Sequence, residues 1–366
     1  MAIFTNTLKV VSAAGLLAVS AISQAAITPY SDDFEGYGTA GTPSVPDFTP
    51  WFGFSDNGGF PGGYTFNPST TGPQISALGY NGTDNQFWVT YANYDNVNVH
   101  NRTLCDPCSP NLQEQISMFI EQPFTGADTA SADTWVYKFN YALSDTAPPA
   151  GNTEVGAYIR VFDPIFNLLF EATFDTEADA TAAFQPGRLA VNLDPAWVDG
   201  NIQFGVYNWA QEYENSGMFY DDVEWVKADP ASLAIRQTNY GDVLHPHHTG
   251  QMLTNGSLPD DEIRVLIYGQ STGAGDPFNF NADNVVPSTL RIGPSQGPVK
   301  SSPPSDFGGD YDSDGQNDSR HFFNMSESGF ECSSTDGLVT GDLSTGETFA
   351  AVDAFTTNCN AQCHTN

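Results

Sequence analysis

The sequence predicts an all-β protein: a jelly-roll-like β-sandwich followed by a smaller β-sandwich. Three observations lead there. Apolar and polar residues alternate at period two in short runs. Clusters of Gly, Pro, Asn and Asp separate those runs at regular spacing. Helix formers are scarce beside 34 Gly, 24 Pro, 26 Phe and 15 Tyr, a composition that favours strands and polar turns.

The first 25 residues, MAIFTNTLKVVSAAGLLAVSAISQA, carry Lys9, an apolar run from Val10 to Ile22, and small residues Ser23 and Ala25 before the expected cut. This pattern predicts a secretory signal, since the apolar run is too short to span a bilayer. Residues 26–230 then form the predicted larger sandwich. Its expected strands lie at 86–94, 116–124, 134–143, 155–162, 187–193, 202–209 and 218–226. The run 134–141 shows the reason most plainly, with Trp135, Tyr137, Phe139 and Tyr141 on one face and Thr134, Val136, Lys138 and Asn140 on the other. A turn-rich stretch, 231–244, reads as a linker. A second β run over 245–366 has expected strands at 262–269, 288–294, 319–325 and within 337–355.

Charge narrows the function. Against 44 acidic residues stand 11 basic ones, a net charge of −33. Such a chain lacks the Lys/Arg clusters that replace counterions on nucleic acid or bind anionic lipid, and no later segment predicts a membrane span. Five cysteines in an exported chain predict disulfides. Cys105 and Cys108 bracket a tight Asp-Pro turn and read as a local staple, Cys332 pairs with Cys359 or Cys363, and one thiol is left over.

The stretch DYDSDGQND, residues 310–318, holds the clearest chemistry. Asp310, Asp312, Asp314 and Asp318 occupy positions 1, 3, 5 and 9, Gly315 position 6, and Gln316 offers a backbone carbonyl at position 7. That is the oxygen spacing that wraps one Ca²⁺. Position 12 is His321 rather than a bidentate Glu, and strands flank the loop, so the pattern is not an EF-hand. The smaller sandwich is therefore expected to bind calcium.

Two resemblances follow from such stretches. The order IRVLIYG, VVPSTLRIGP, DYDSDGQNDSRHFFN and LVTGDLSTGETF, over about 245–357, resembles a C-terminal calcium-loop β-sandwich module of exported bacterial proteins. That likeness implies an accessory, calcium-stabilised module. The acidic clusters SDDFEGY (31–37) and FYDDVEW (219–225) lie at opposite ends of the first domain, where a jelly roll sets its first and last strands side by side. They resemble the ends of carbohydrate-binding-module-like jelly rolls, and the likeness implies a structural Ca²⁺ held by Glu35 and Asp221.

Glycan recognition needs flat rings with polar neighbours. Trp51, Tyr64 and Trp209 stand in such surroundings and are the expected ligand contacts. Other motifs carry less. GQSTG around Ser271 fits a nucleophile elbow only if a helix follows, His245, His247 and His248 read as linker, and CNAQCH (359–364) exceeds the haem-attachment spacing by one residue. The expected function is a secreted, calcium-stabilised protein that binds glycan or another surface polymer. Two alternatives remain: an extracellular polysaccharide-degrading enzyme on the same scaffold, and a structural surface or matrix protein.

Overall fold

The fold was described from a computed structural model, over residues 26–34, 51–56, 74–76, 87–93, 114–143, 153–177, 180–210, 215–237, 243–244 and 262–358. The segments 1–25, 105–108, 245–248 and 359–366, together with Glu35 and Tyr64, lie outside these residues. Among the described residues no helix is long and apolar enough to cross a membrane.

Among the described residues, eleven strands build the first sandwich: β1 (Tyr30–Asp32), β2 (Phe52–Asp56), β3 (Gln74–Ser76), β4 (Phe87–Asn93), β5 (Glu114–Thr125), β6 (Thr134–Leu143), β7 (Thr153–Phe162), β8 (Leu168–Asp175), β9 (Gln185–Asn192), β10 (Asp199–Ala210) and β11 (Asn215–Lys227). One sheet runs β3-β4-β11-β6-β9 with β1 also on β11, and the other runs β2-β5-β10-β7-β8. All the pairings are antiparallel. The chain crosses between sheets at nearly every connection, which is jelly-roll order.

Period two explains the core. The predicted aromatic row Trp135, Tyr137, Phe139 and Tyr141 faces inward, as do Ile202, Phe204 and Val206 of β10 and Val155, Ala157, Ile159 and Val161 of β7. At its centre Phe204 stacks on Trp225 at 4.5 Å, and Trp225 stacks on Trp135 at 5.3 Å. Offset stacking of this kind adds about 1 kcal/mol per pair beyond the area removed from water.

The second sandwich comprises β12 (Asp229–Pro230), β13 (Ser232–Gln237), β14 (Val243–Leu244), β15 (Glu262–Tyr268), β16 (Arg291–Ile292), β17 (Gly297–Pro298), β18 (Asp306–Gly309), β19 (Asp318–Asn324), β20 (Asp336–Asp342), β21 (Thr348–Ala354) and β22 (Thr356–Thr357). Its sheets run β12-β21-β20-β16-β17 and β13-β15-β19-β18, with β14 and β22 as a separate parallel pair. Ile235, Val265, Ile267, Phe323, Val339 and Phe349 fill the space between.

Two expectations need correction. The stretch 231–244, read as a linker, carries β13 and β14: Leu233 and Ile235 enter the second core, and β13 pairs with β15 across six residues. The expected strand 288–294 begins instead as a single 3-10 turn, Pro287–Thr289, because proline presets the helical φ at the first position. Only Arg291–Ile292 of that stretch is strand.

The sandwiches meet over small apolar residues. Val136, Ala190 and Ala228 of the first pack with Ala350 of the second, with Val226 and Leu338 at the margin. Beside them Arg188 Nη2 reaches Asp342 Oδ2 at 2.5 Å, and Lys138 lies 2.5 Å from Glu224 and 3.9 Å from Asp342. Arg188 is 6% exposed, so this ion pair holds the interface from a largely dry position.

Candidate functional site

The outward face of sheet β2-β5-β10-β7-β8 carries polar and aromatic side chains in register. Inward residues of β5, β7 and β10 alternate with three cross-strand rows: Ser117, Tyr207, Gly156 and Asp175; Phe119, Gly205, Tyr158 and Thr173; and Glu121, Gln203, Arg160 and Glu171. Two of these positions are glycines, and each makes room. A Cβ at Gly156 would meet the Phe174 carbonyl and lie 2.8 Å from Cε1 of Tyr207, so the Tyr207 ring occupies the space above Gly156. A Cβ at Gly205 would strike the Met118 carbonyl and backbone of β5.

These side chains form one network. The Tyr207 and Tyr158 rings lie 6.2 Å apart, and the Arg160 guanidinium sits 4.5 Å over the Tyr158 ring while its Nε pairs with Glu171 at 2.7 Å. Gln203 Nε2 donates to Glu121 at 2.7 Å, and the Tyr158 hydroxyl bonds the Ser117 side chain. Tyr158 is 1% exposed and forms the floor; Tyr207 is the more accessible ring. Burial pushes the Tyr207 phenol up to about 12, helped by the charges of Glu154 and Asp175, so it remains a neutral hydroxyl donor across ordinary pH. A flat ring flanked by amide, guanidinium and carboxylate groups offers one surface for the apolar face of a sugar and several partners for its hydroxyls.

Of the predicted ligand aromatics, Trp51 falls in the core instead. Trp51 is 7% exposed, donates from Nε1 to Asp32 Oδ2 at 2.8 Å, and packs on Tyr30 and Phe34. It is a core residue, because its indole N–H finds a half-buried carboxylate and its ring finds two aromatic neighbours. Trp209 lies in β10 rather than in a loop, in register with Glu154 and Gln115 and two residues beyond Tyr207, in the row adjoining that of Tyr207. Tyr64 is outside the described residues. Tyr158 was missed: in TEVGAYIRVF both faces of β7 carry apolar residues, so the sequence hides which row is the core.

The acidic loop connects β18 to β19. Carboxylate oxygens of Asp310, Asp312 and Asp314 lie within 4.8 Å of one another, all exposed. Gly315, at φ +85°, supplies the left-handed turn that closes the loop. Burial together with the charges of Asp318 and Asp314 raises the Asp312 carboxyl above its ordinary value. Three hard oxygen donors at this separation fit a hard divalent cation. Asp318 takes a different part: it is buried, outside that group, and its carboxylate accepts the Gly269 N–H at 2.9 Å and the Tyr311 N–H at 2.5 Å. Gln316 donates its N–H to Asp314 at 2.7 Å.

The ends of the two acidic clusters that are described, 31–33 and 219–225, lie side by side. β1 lies on β11, with Asp32 opposite Val223 and Ser31 opposite Glu224. Asp221 is buried opposite Asn140, and its Oδ1 accepts the N–H of Asp222, which sits at φ +47° in a bulge. A cleft of roughly 510 Å³ opens here against the second sandwich, lined by Asp32, Asp33, Lys138, Arg188, Asp222, Glu224 and Asp342 among others. Ser271, the elbow candidate, precedes turns at 272–275 rather than a helix. Cys332 lies in an exposed turn whose carbonyl accepts the Thr357 hydroxyl at 2.7 Å.

No protein-family model matches this chain, and no curated protein matches it. Among solved structures, it is similar to the CBM22-2 xylan-binding domain of Paenibacillus barcinonensis Xyn10C, at 10% identity and TM-score 0.27, over 54% of this chain and 99% of that one. A family 11 carbohydrate-binding module of Clostridium thermocellum, in complex with a mixed-linked tetrasaccharide, matches at 10% identity and TM-score 0.27, over 55% and 97%. The enzymatically active domain of bacteriophage CBA120 tailspike protein 4 matches at 10% identity and TM-score 0.30, over 50% of this chain. The chain spans 20% of that tailspike domain's length. At such identities and TM-scores the likeness assigns a role to no residue of this chain.

Proposed function

We propose that this protein is an extracellular, calcium-stabilised binding protein for glycan, held on the outward face of sheet β2-β5-β10-β7-β8. The observation that carries the reading is the three-row face in which Tyr207 and Tyr158 lie among Arg160, Gln203, Glu121 and Glu171. The polymer is a neutral polysaccharide, because the face carries more carboxylates than cations and the chain's net charge of −33 repels polyuronides. Ca²⁺ is the structural cofactor of the second sandwich. Asp310, Asp312 and Asp314 hold it, with the Gln316 carbonyl closing the set and Asp318 fixing the loop from beneath. Glu35 and Asp221 hold a second Ca²⁺ at the β1–β11 end, and Cys332 with the tail and Cys105 with Cys108 form staples.

The test is a glycan array run in calcium, with reducing-end release followed on every glycan that binds. Binding of neutral glycans without release supports the proposal, and binding confined to acidic glycans sinks it. A second reading rests on the cleft lined by Asp33, Asp222, Glu224 and Asp342. Facing carboxylates across a sugar-sized gap can cleave glycosidic bonds. Reducing-end release that disappears in Asp222→Asn would establish that reading instead.

A further inference from the structure

We propose a second docking site: a groove between the sandwiches that takes an extended peptide as an added strand on β8. The groove, roughly 620 Å³, is bordered by Phe170, Glu171, Ala172 and Thr173 of β8. Ala190 and Asn192 of β9 line it beside β8, and across it stand the β16–β17 turn, Phe330, the start of β20 and Val352 of β21. Phe170 and Ala172 point toward the first core while Glu171 and Thr173 point the other way. Four consecutive residues with alternating side chains can border one groove only along their common backbone edge.

That edge is open. β8 ends its sheet's order, and among the described residues no backbone hydrogen bond reaches its outer side. An open edge presents alternating N–H and C=O groups at strand spacing, a pattern that another extended backbone matches group for group. The facing wall supplies what side chains on such a strand would need. Phe330, Leu338, Pro294 and the 44% exposed Val352 form an apolar surface. Gln296 lines the groove while 6% exposed, with Nε2 donating to the Gly293 carbonyl and Oε1 lacking any partner. A buried acceptor without a donor is costly, and a peptide donor would relieve it. The charged residues of the lining are Glu171 and Asp336, with no Lys or Arg. The occupant is therefore a neutral to basic segment of another protein, apolar at alternate positions.

The groove shares Glu171 and Thr173 with the glycan face and is told apart from it through Asp336, which lines the groove alone. A phage-displayed random dodecapeptide library is panned on the immobilised full-length protein, and an enriched peptide is titrated in solution by fluorescence anisotropy. Neighbouring residues of an antiparallel edge alternate in which side their N–H serves. One of Ala172→Pro and Thr173→Pro thus removes an outward donor while sparing the β7 ladder, and circular dichroism identifies which variant folds. The expected result is a Lys/Arg-bearing peptide that slows amide exchange in β8. It should bind about tenfold more weakly to the folded proline variant and about threefold more weakly to Asp336→Lys. Failure to enrich any peptide, or binding indifferent to all three substitutions, overturns the proposal. So does loss of oligosaccharide binding in Asp336→Lys, which would make the groove a sugar site, or a concentration-dependent dimer that the substitutions abolish, which would make the occupant a second copy.

Discussion

On the proposed glycan face Tyr207 is the accessible ring, and it fills the space that a Cβ at Gly156 would take. Tyr207→Ala should weaken binding of any glycan that the array identifies by about tenfold, with little change in melting temperature, as read by isothermal titration beside a thermal scan. His321 makes a prediction of another kind. Buried between Ser305 and Ser319, with both ring nitrogens 2.9 Å from a hydroxyl, it is pushed by burial from 6.5 to about 4. The unfolded chain then binds a proton between those values that the folded chain does not. Stability of the second sandwich is therefore full above about 6.5 and falls as pH drops toward 4, by roughly 3 kcal/mol in all. Urea titrations at pH 7, 5.5 and 4, read by amide exchange in β19, should show the decline, and His321→Gln should flatten it. An unchanged slope in that variant would assign the pH dependence elsewhere. At this scale the sequence showed Asp310, Asp312 and Asp314 plainly, since local spacing alone sets their meeting. It did not show Tyr158 or the burial of Trp51, because those depend on strands distant in the chain.

Among elements, the β18–β19 connection carries its own test. Without metal, the crowded carboxylates of Asp312, Asp314 and Asp318 oppose folding. Asp312→Asn should thus stabilise the second sandwich in chelator and destabilise it in millimolar calcium, a reversal of sign that thermal scans in the two buffers detect. The same direction in both buffers would reduce the loop to an acidic turn. Strands with clean alternation, such as β6, were legible because one face is wholly apolar. The strand β8 was not, since LLFEATFD leaves Leu168 and Leu169 exposed while Phe170 turns inward. Nor was β13: SLAIRQ becomes a strand through β15, which begins 25 residues after β13 ends, and its own neighbours are turn residues.

For the whole molecule, the pairing of Arg188 with Asp342 decides whether two sandwiches behave as one body. Removing Asp342 strands a guanidinium in a nearly dry interface, and Asp342→Ala should cost roughly 3 kcal/mol. Unfolding that is single in the parent should then separate into two transitions by calorimetry. The double variant Arg188→Met with Asp342→Leu should recover most of that loss, because apolar groups of similar bulk need no counterion. Two sandwiches were readable from chain length and turn spacing, but their contact was not: Val136, Ala190 and Ala350 look like ordinary surface or core positions until the sheets are placed. The stacked column of Trp135, Trp225 and Phe204 has a practical corollary. All six tryptophans of the chain, at positions 51, 88, 135, 197, 209 and 225, precede the second sandwich. Indole emission is thus a spectroscopic label that nature has confined to one half of the molecule. A denaturation curve followed by fluorescence watches the first sandwich alone, and a shift on adding calcium that persists in Asp221→Asn must have been transmitted from a neighbour that emits no such light.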